Sequence, residues 1–121
     1  MFNAGEYWVG DLCYVLSDDD WDEYFQNYAN QPNTKHVFSD GREFWYCNTA
    51  FGDGTYVDQF DNEYQVDSGT IGVISLADID EEHPDTWMAG GATLLFEDEF
   101  HCSYANGVFY IGEIVIDTGA N

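Results

Sequence analysis

The sequence predicts an α+β fold that is mostly β: one antiparallel sheet of about seven or eight strands with a single amphipathic helix over residues 18–29. Three observations predict it. Short runs rich in β-branched and aromatic residues recur between turn residues such as Ser39-Asp40-Gly41-Arg42, Asp61-Asn62 and Asn106-Gly107. Only one segment spaces its apolar residues at helical intervals. Strands and helices do not alternate, so a parallel sheet built from crossovers is excluded. The 121 residues suffice for one domain with a modest core. No composition shift, repeat or linker marks a boundary, so residues 1–121 read as a single acidic globular domain.

Each element follows from its residues. Tyr7-Trp8-Val9 and Leu12-Cys13-Tyr14-Val15-Leu16 flank Gly10-Asp11 and read as two strands around a turn, or as one strand with a bulge at Gly10. Ser17 is placed to cap a helix whose first turn holds Asp18, Asp19 and Asp20, favoured at the positive end of the helix dipole. Leu16 and Trp21 fit a hydrophobic staple. Trp21, Tyr24, Phe25 and Tyr28 then form one aromatic stripe directed at the core. Asn30 to Pro32 ends the helix. Val37-Phe38 and Glu43 to Cys47 pair across the Ser39 to Arg42 turn, and Tyr56-Val57 pairs with Tyr64 to Val66 across Asp61-Asn62. Thr70 to Ile79 is rich in β-branched residues and reads as a central strand. Asp80 to Gly91 reads as an acidic loop.

The last hairpin has the strongest signal. Asn106-Gly107 is suited to a type I′ turn, which needs positive φ at both central residues. The run before it alternates, with Leu94, Phe96, Phe100, Cys102 and Tyr104 on one face and Leu95, Glu97, Glu99, His101 and Ser103 on the other. Carboxylates on alternate strand residues stand about 6.5–7 Å apart, close to the spacing of phosphates along a nucleic-acid strand.

Charge narrows the function. The chain carries 24 Asp and Glu against two basic residues, Lys35 and Arg42, a formal net charge of −22. With one acid assigned to each cation, 24 − 2 = 22 acids are expected to lack a basic partner. A composition 45% hydrophobic and 18% aromatic sets the chain apart from disordered acidic tails, which lack aromatics. Two carboxylates about 7 Å apart in water repel by only about 0.6 kcal/mol before screening. Summed over a surface, that repulsion still destabilises the compact state. Three uses would repay it: a basic protein partner, cation binding, or hydration in high salt. Nucleic acid itself and anionic membranes are repelled, so neither is an expected partner.

No run of about 18 apolar residues is present, and Met1 to Glu6 has neither the basic nor the apolar region of a signal peptide. The expected compartment is the cytosol of a host cell. Cys13, Cys47 and Cys102 form no CxxC pair and are expected to be reduced and buried.

The stretches Gly10 to Val15, Trp21-Asp22-Glu23, Thr49 to Tyr56 and Tyr64 to Gly72 resemble a group of small uncharacterised proteins from phages and bacteria. The likeness spans residues from about Tyr7 to Leu76 and implies no activity. In size, charge and aromatic content the chain also looks like the DNA-mimic inhibitors made by phages and mobile elements. That second resemblance implies a strategy and no particular residues.

Motifs for other functions are missing. No EF-hand spacing occurs around Asp18-Asp19-Asp20 or between Asp58 and Asp67, although a non-standard calcium site at Asp53, Asp58 and Asp67 is a third reading. His101 and Cys102 are adjacent on a strand and point to opposite faces, and His36 and His83 read as surface residues. No nucleophile elbow, zinc-protease helix or P-loop is present, and no cofactor is expected. The sequence therefore points to a non-enzymatic inhibitor, of the anti-CRISPR or anti-restriction kind, that occupies the nucleic-acid groove of a basic bacterial protein. Asp18, Asp19, Asp22, Asp58, Asp61, Glu97 and Glu99 are its candidate phosphate mimics, all expected on the surface. An uncovered sheet edge would open a route to a homodimer. The alternative is a structural domain whose acidity serves high-salt hydration. Circular dichroism across a salt series separates the two: a phosphate mimic is expected to stay folded at low salt, whereas structure lost on desalting would favour the hydration reading.

Overall fold

The computed structural model describes residues 2–16, 18–79 and 91–118. Ser17 and residues 80–90, with His83, Pro84 and the expected acidic loop, lie outside the described residues. The described chain is mostly β with one helix, as expected, but its strands form three antiparallel sheets rather than one.

The order is β1 (Gly5–Gly10), a 3-10 turn (Leu12–Tyr14), α1 (Asp18–Asn27), β2 (Thr34–Val37), β3 (Glu43–Asn48), β4 (Gly54–Val57), β5 (Glu63–Val66) and β6 (Thr70–Ser75). A second 3-10 turn (Leu76–Asp78) follows, then β7 (Gly91–Phe96), β8 (Cys102–Ala105), β9 (Val108–Ile111) and β10 (Ile114–Asp117). The largest sheet runs β2-β3-β6-β1-β7, so β6 is central, as its β-branched run predicts. The other sheets are β10-β9-β8 and β4-β5.

The three central strands of the five-stranded sheet are buried on both faces, and period-two alternation sorts their residues. Trp8, Phe44, Tyr46 and Ile74 face α1 and the first 3-10 turn. Tyr7, Val9, Trp45, Cys47, Ile71 and Val73 face the two smaller sheets, meeting Phe109, Ile111, Ile114 and Ile116, with Tyr64 and Val66. The result is three layers, with helix on one side and sheets on the other. Each large side chain taken out of water contributes about 1.5–3 kcal/mol.

Glycines set the closest approach. Gly72, Gly10 and Gly91 stand in register across β6, β1 and β7. A Cβ on Gly72 would lie 2.5 Å from Leu12 Cγ, and one on Gly91 would lie 2.7 Å from the Trp8 ring. Leu12 and Trp8 thus occupy the space that side chains at these positions would fill.

Several local expectations change. The 12–16 run is not a second strand. Asp11 accepts a hydrogen bond from Cys13 N at 3.0 Å and starts a 3-10 turn, which lays Leu12, Val15 and Leu16 on the sheet. The helix stops at Asn27, where Tyr28 N and Ala29 N both donate to Tyr24 O and the i→i−5 bond from Ala29 widens the last turn. Phe25 leaves the aromatic stripe and is 56% exposed, while Tyr24 stacks edge-on against Phe44 and Tyr46. His36 is buried rather than on the surface, with Nε2 2.8 Å from Gln31 O and rings of Tyr28, Phe44 and Tyr46 around it.

The 94–104 alternation holds, but the strand does not. Leu94, Phe96, Phe100, Cys102 and Tyr104 all pack on the same core, yet the chain bends at 97–99 and changes sheets. The corner is pinned by Phe2, whose N–H and C=O bond to Phe100 at 2.8 and 3.0 Å. Asn106 and Gly107 take φ of 54° and 85°, the expected type I′ turn. A second two-residue turn, Gly112-Glu113, was not anticipated. Its trace in the sequence is a parity change from Phe109 and Ile111 to Ile114 and Ile116, all buried.

Both cations are engaged. Arg42 holds Asp20 through two bonds of 2.6 and 2.8 Å and Asp40 through Nε at 2.8 Å, so one cation serves two acids rather than one. Lys35 Nζ lies 2.6 Å from Glu43.

Asp11 is fully buried and joins distant parts of the chain. Beyond Cys13 N, it accepts from Asp67 N at 2.8 Å, Ser68 N at 2.6 Å and Ser68 Oγ at 2.7 Å. The Asp11→Ala variant strands these donors and is expected to lose about 3 kcal/mol of stability, read as a lower urea midpoint at unchanged slope.

Candidate functional site

Where the structure places the seven candidate acids decides what they do. Asp18, Asp19 and Asp22 are exposed on α1. Glu97 and Glu99 are exposed in the bend between β7 and β8, and Asp61 is exposed in the β4–β5 loop. The helix group sits on α1, which packs on one face of the five-stranded sheet, and the bend group sits past the end of its edge strand β7.

Asp58 is a correction. It is 5% exposed, and its oxygens are committed to its own hairpin. Oδ1 accepts from Phe60 N at 2.8 Å and Asn62 N at 3.1 Å. Oδ2 accepts from Asn62 Nδ2 at 3.0 Å and Tyr64 OH at 2.7 Å. Burial alone would raise its pKa, but these four bonds outweigh burial and hold it below the ordinary carboxylate value. The Tyr64 phenol is pushed up by burial, then by its hydrogen bond to Asp58 and the Asp58 charge, so it remains a donor.

The same loop is clasped to β10. Gln59 Nε2 donates to Glu113 O at 2.6 Å, and Val115 N donates to Gln59 Oε1 at 2.8 Å, so a side-chain amide takes the place of a paired strand residue. Asp58 and Gln59 together hold Phe60 in place, and Phe60 is 64% exposed.

Phe60 borders a groove of about 750 Å³ between the end of β7, the 97–99 bend and the β8–β10 sheet. Leu95, Phe96, Tyr110 and Ile114 supply apolar surface. Glu97, Asp98, Glu99 and Glu113 supply carboxylates, and neither Lys nor Arg lines it. The groove is therefore apolar and anionic together, a combination that suits an occupant both apolar and cationic.

Among the described residues no three His, Cys, Asp or Glu come together to hold a metal ion. Of the non-standard calcium candidates, Asp58 is spent on its hairpin and Asp67 receives the Tyr14 hydroxyl. Burial pushes the Cys102 thiol up to about 12. Burial, then the adjacent Asp11 carboxylate, raises Cys13, and burial raises Cys47. All three thiols stay protonated at neutral pH and are poor nucleophiles. No described helix is long and apolar enough to cross a membrane.

No family model, curated protein or solved structure matches the chain. Sequence reasoning found Glu97 and Glu99 but missed Phe60, Tyr110 and Glu113. One signal was present: Phe60 lies inside Asp58-Gln59-Phe60-Asp61-Asn62, where turn chemistry favours polar residues throughout.

The depressed Asp58 pKa has a signed consequence. Its contribution to stability is present above the unfolded value of about 3.9 and is lost as pH falls through the lower folded value. The stability gap between wild type and Asp58→Asn, measured by urea unfolding at each pH, is expected to be full at neutral pH and to shrink below about pH 4. A gap that stays constant into strong acid would show that Asp58 is not the ionised anchor of this loop.

Proposed function

We propose that this chain is a non-enzymatic acidic protein that mimics nucleic acid and inhibits a basic nucleic-acid-binding protein of a bacterial host. An anti-CRISPR or anti-restriction role in the host cytosol is the setting that fits. One observation carries the reading: a net charge of −22 sits on a layered β scaffold, with Asp18, Asp19, Asp22, Asp61, Glu97 and Glu99 exposed on its elements and tight connections. A disordered acidic tail would pay to order its charges at the moment of binding; this scaffold pays when it folds.

Two features support a protein partner. Steering by a large negative field speeds encounter with a basic groove and makes it sensitive to salt. The exposed acids also outnumber the engaged cations, so the field is not neutralised within the chain. Individual contacts of this kind are each worth about 1 kcal/mol or less at a wet surface, so the reading requires many of them acting together.

Competition measures it. A panel of bacterial nuclease and effector complexes, each bound to labelled nucleic acid, is titrated with the protein at moderate salt. The expected result is displacement from at least one member, weakening steeply as salt rises. Replacing Asp18, Asp19 and Asp22 together by Asn is expected to weaken displacement by about tenfold, from three contacts of modest size. Displacement from no member would sink the proposal.

A further inference from the structure

We propose that the groove beside the 97–99 bend docks a segment of the partner polypeptide that presents an arginine next to an apolar side chain. The inference rests on the nucleic-acid-mimic reading and adds a contact that a phosphate backbone does not supply.

Preorganised apolar surface is the first argument. Phe60 and Leu95 are 64% and 67% exposed, and Tyr110 is 43% exposed, all on one groove. Single exposed apolar residues are ordinary, but several on one concavity mark a binding surface. Phe60 is also held there at some expense. Four hydrogen bonds to Asp58 and two through Gln59 fix the loop that carries it. A fixed aromatic loses little entropy when a partner covers it, which is the property of an interface anchor.

Charge selects the occupant. Glu97, Asp98, Glu99 and Glu113 line the groove, so its ligand must bring positive charge as well as apolar area. Arginine fits better than lysine. Its guanidinium is planar and weakly hydrated, it stacks on rings such as those of Phe60 and Tyr110, and it grips a carboxylate through two parallel bonds. This chain already shows both habits internally, since Arg42 lies over the Phe38 ring at 4.9 Å while holding Asp20 through two bonds. A second copy is a poor occupant: two chains of −22 repel, and Arg42 and Lys35 are already held by Asp20, Asp40 and Glu43.

Fluorescence anisotropy with the full chain tests the inference. The probes are short labelled peptides of equal charge: one alternating Arg with Leu, one alternating Arg with Ser, and one alternating Lys with Leu. The Arg–Leu peptide is expected to bind about tenfold tighter than either of the others. Phe60→Ser with Leu95→Ser should abolish that advantage, and Glu97→Gln with Glu99→Gln should weaken all three peptides. Asp53→Asn with Glu63→Gln removes the same charge from exposed residues that do not line the groove, and should change binding by less than about twofold. Because Phe60 and Leu95 are exposed, the melting temperature of their variant should match wild type, which separates a lost site from a lost fold. Equal binding of the three peptides, or equal losses from the 97/99 and 53/63 variants, would overturn the groove and leave charge mimicry standing. Failure of competition with nucleic acid, alongside intact Arg–Leu preference, would overturn the mimicry and leave a groove without that role.

Discussion

Scarcity of positive charge governs this structure. Two cations cannot neutralise 24 acids, so hydrogen-bond donors take up part of the task. Asp11 accepts four bonds from Cys13, Asp67 and Ser68, and Asp58 accepts four from Phe60, Asn62 and Tyr64. Glu23 accepts from Ser39 N at 2.8 Å and Ser39 Oγ at 3.0 Å, which ties α1 to the β2–β3 turn. A carboxylate offers about four acceptor sites, so each of these acids can close a loop whose backbone N–H groups would otherwise need partners. The cations are used for the same purpose, with Arg42 joining the helix to that turn through Asp20 and Asp40.

The acids therefore divide into two populations that net charge cannot distinguish. Asp11 and Asp58 are buried anchors, and removing either would strand its donors at a total cost of about 3 kcal/mol. The exposed acids repel one another by tenths of a kcal/mol per pair after screening. One anchor thus outweighs any single exposed pair by about an order of magnitude. The division also means that net charge alone overstates how many acids face solvent, as Asp58 illustrates.

Period and turn chemistry made much of the fold legible in the sequence. The aromatic helix stripe, the Asn106-Gly107 hairpin, the Asp61-Asn62 hairpin and the central Thr70 strand all depend on local pattern. The sheet change at 97–99 was not legible, because the alternation from Leu94 to Tyr104 passes through the bend without a break in parity. What bends the chain is pairing with Phe2, nearly a hundred residues away in sequence, and no local signal encodes that. Burial of Asp11 and His36 was hidden for a related reason. Asp11 and His36 are buried because tertiary structure brings Asp67, Ser68, Phe44 and Tyr46 to them, whereas Asp58 takes its donors from its own Asp61-Asn62 hairpin, as an Asx turn does. The helix and bend acids were correctly exposed, but which of them share a surface depended on sheet topology.

Salt acts differently on the two populations, and this bears on how such a surface can hold a partner. Screening reaches the exposed carboxylates, whose field decays within about 8 Å at physiological ionic strength. It reaches the buried anchors much less, so the scaffold persists where the long-range attraction fades. A surface that relied on exposed charge alone would release its partner under the same conditions. Apolar contact is not screened, and about 25 cal/mol per Å² of covered surface gives it a share that salt leaves in place. Phe60, Leu95 and Tyr110 lie beside Glu97 and Glu99, so a partner seated in the proposed groove would meet both a contact that draws it in and one that retains it. The loop that presents Phe60 is fixed by Asp58, a carboxylate sheltered from the screening that weakens its neighbours. Charge removed from the surface at Asp58 is thus converted into rigidity at the groove's edge.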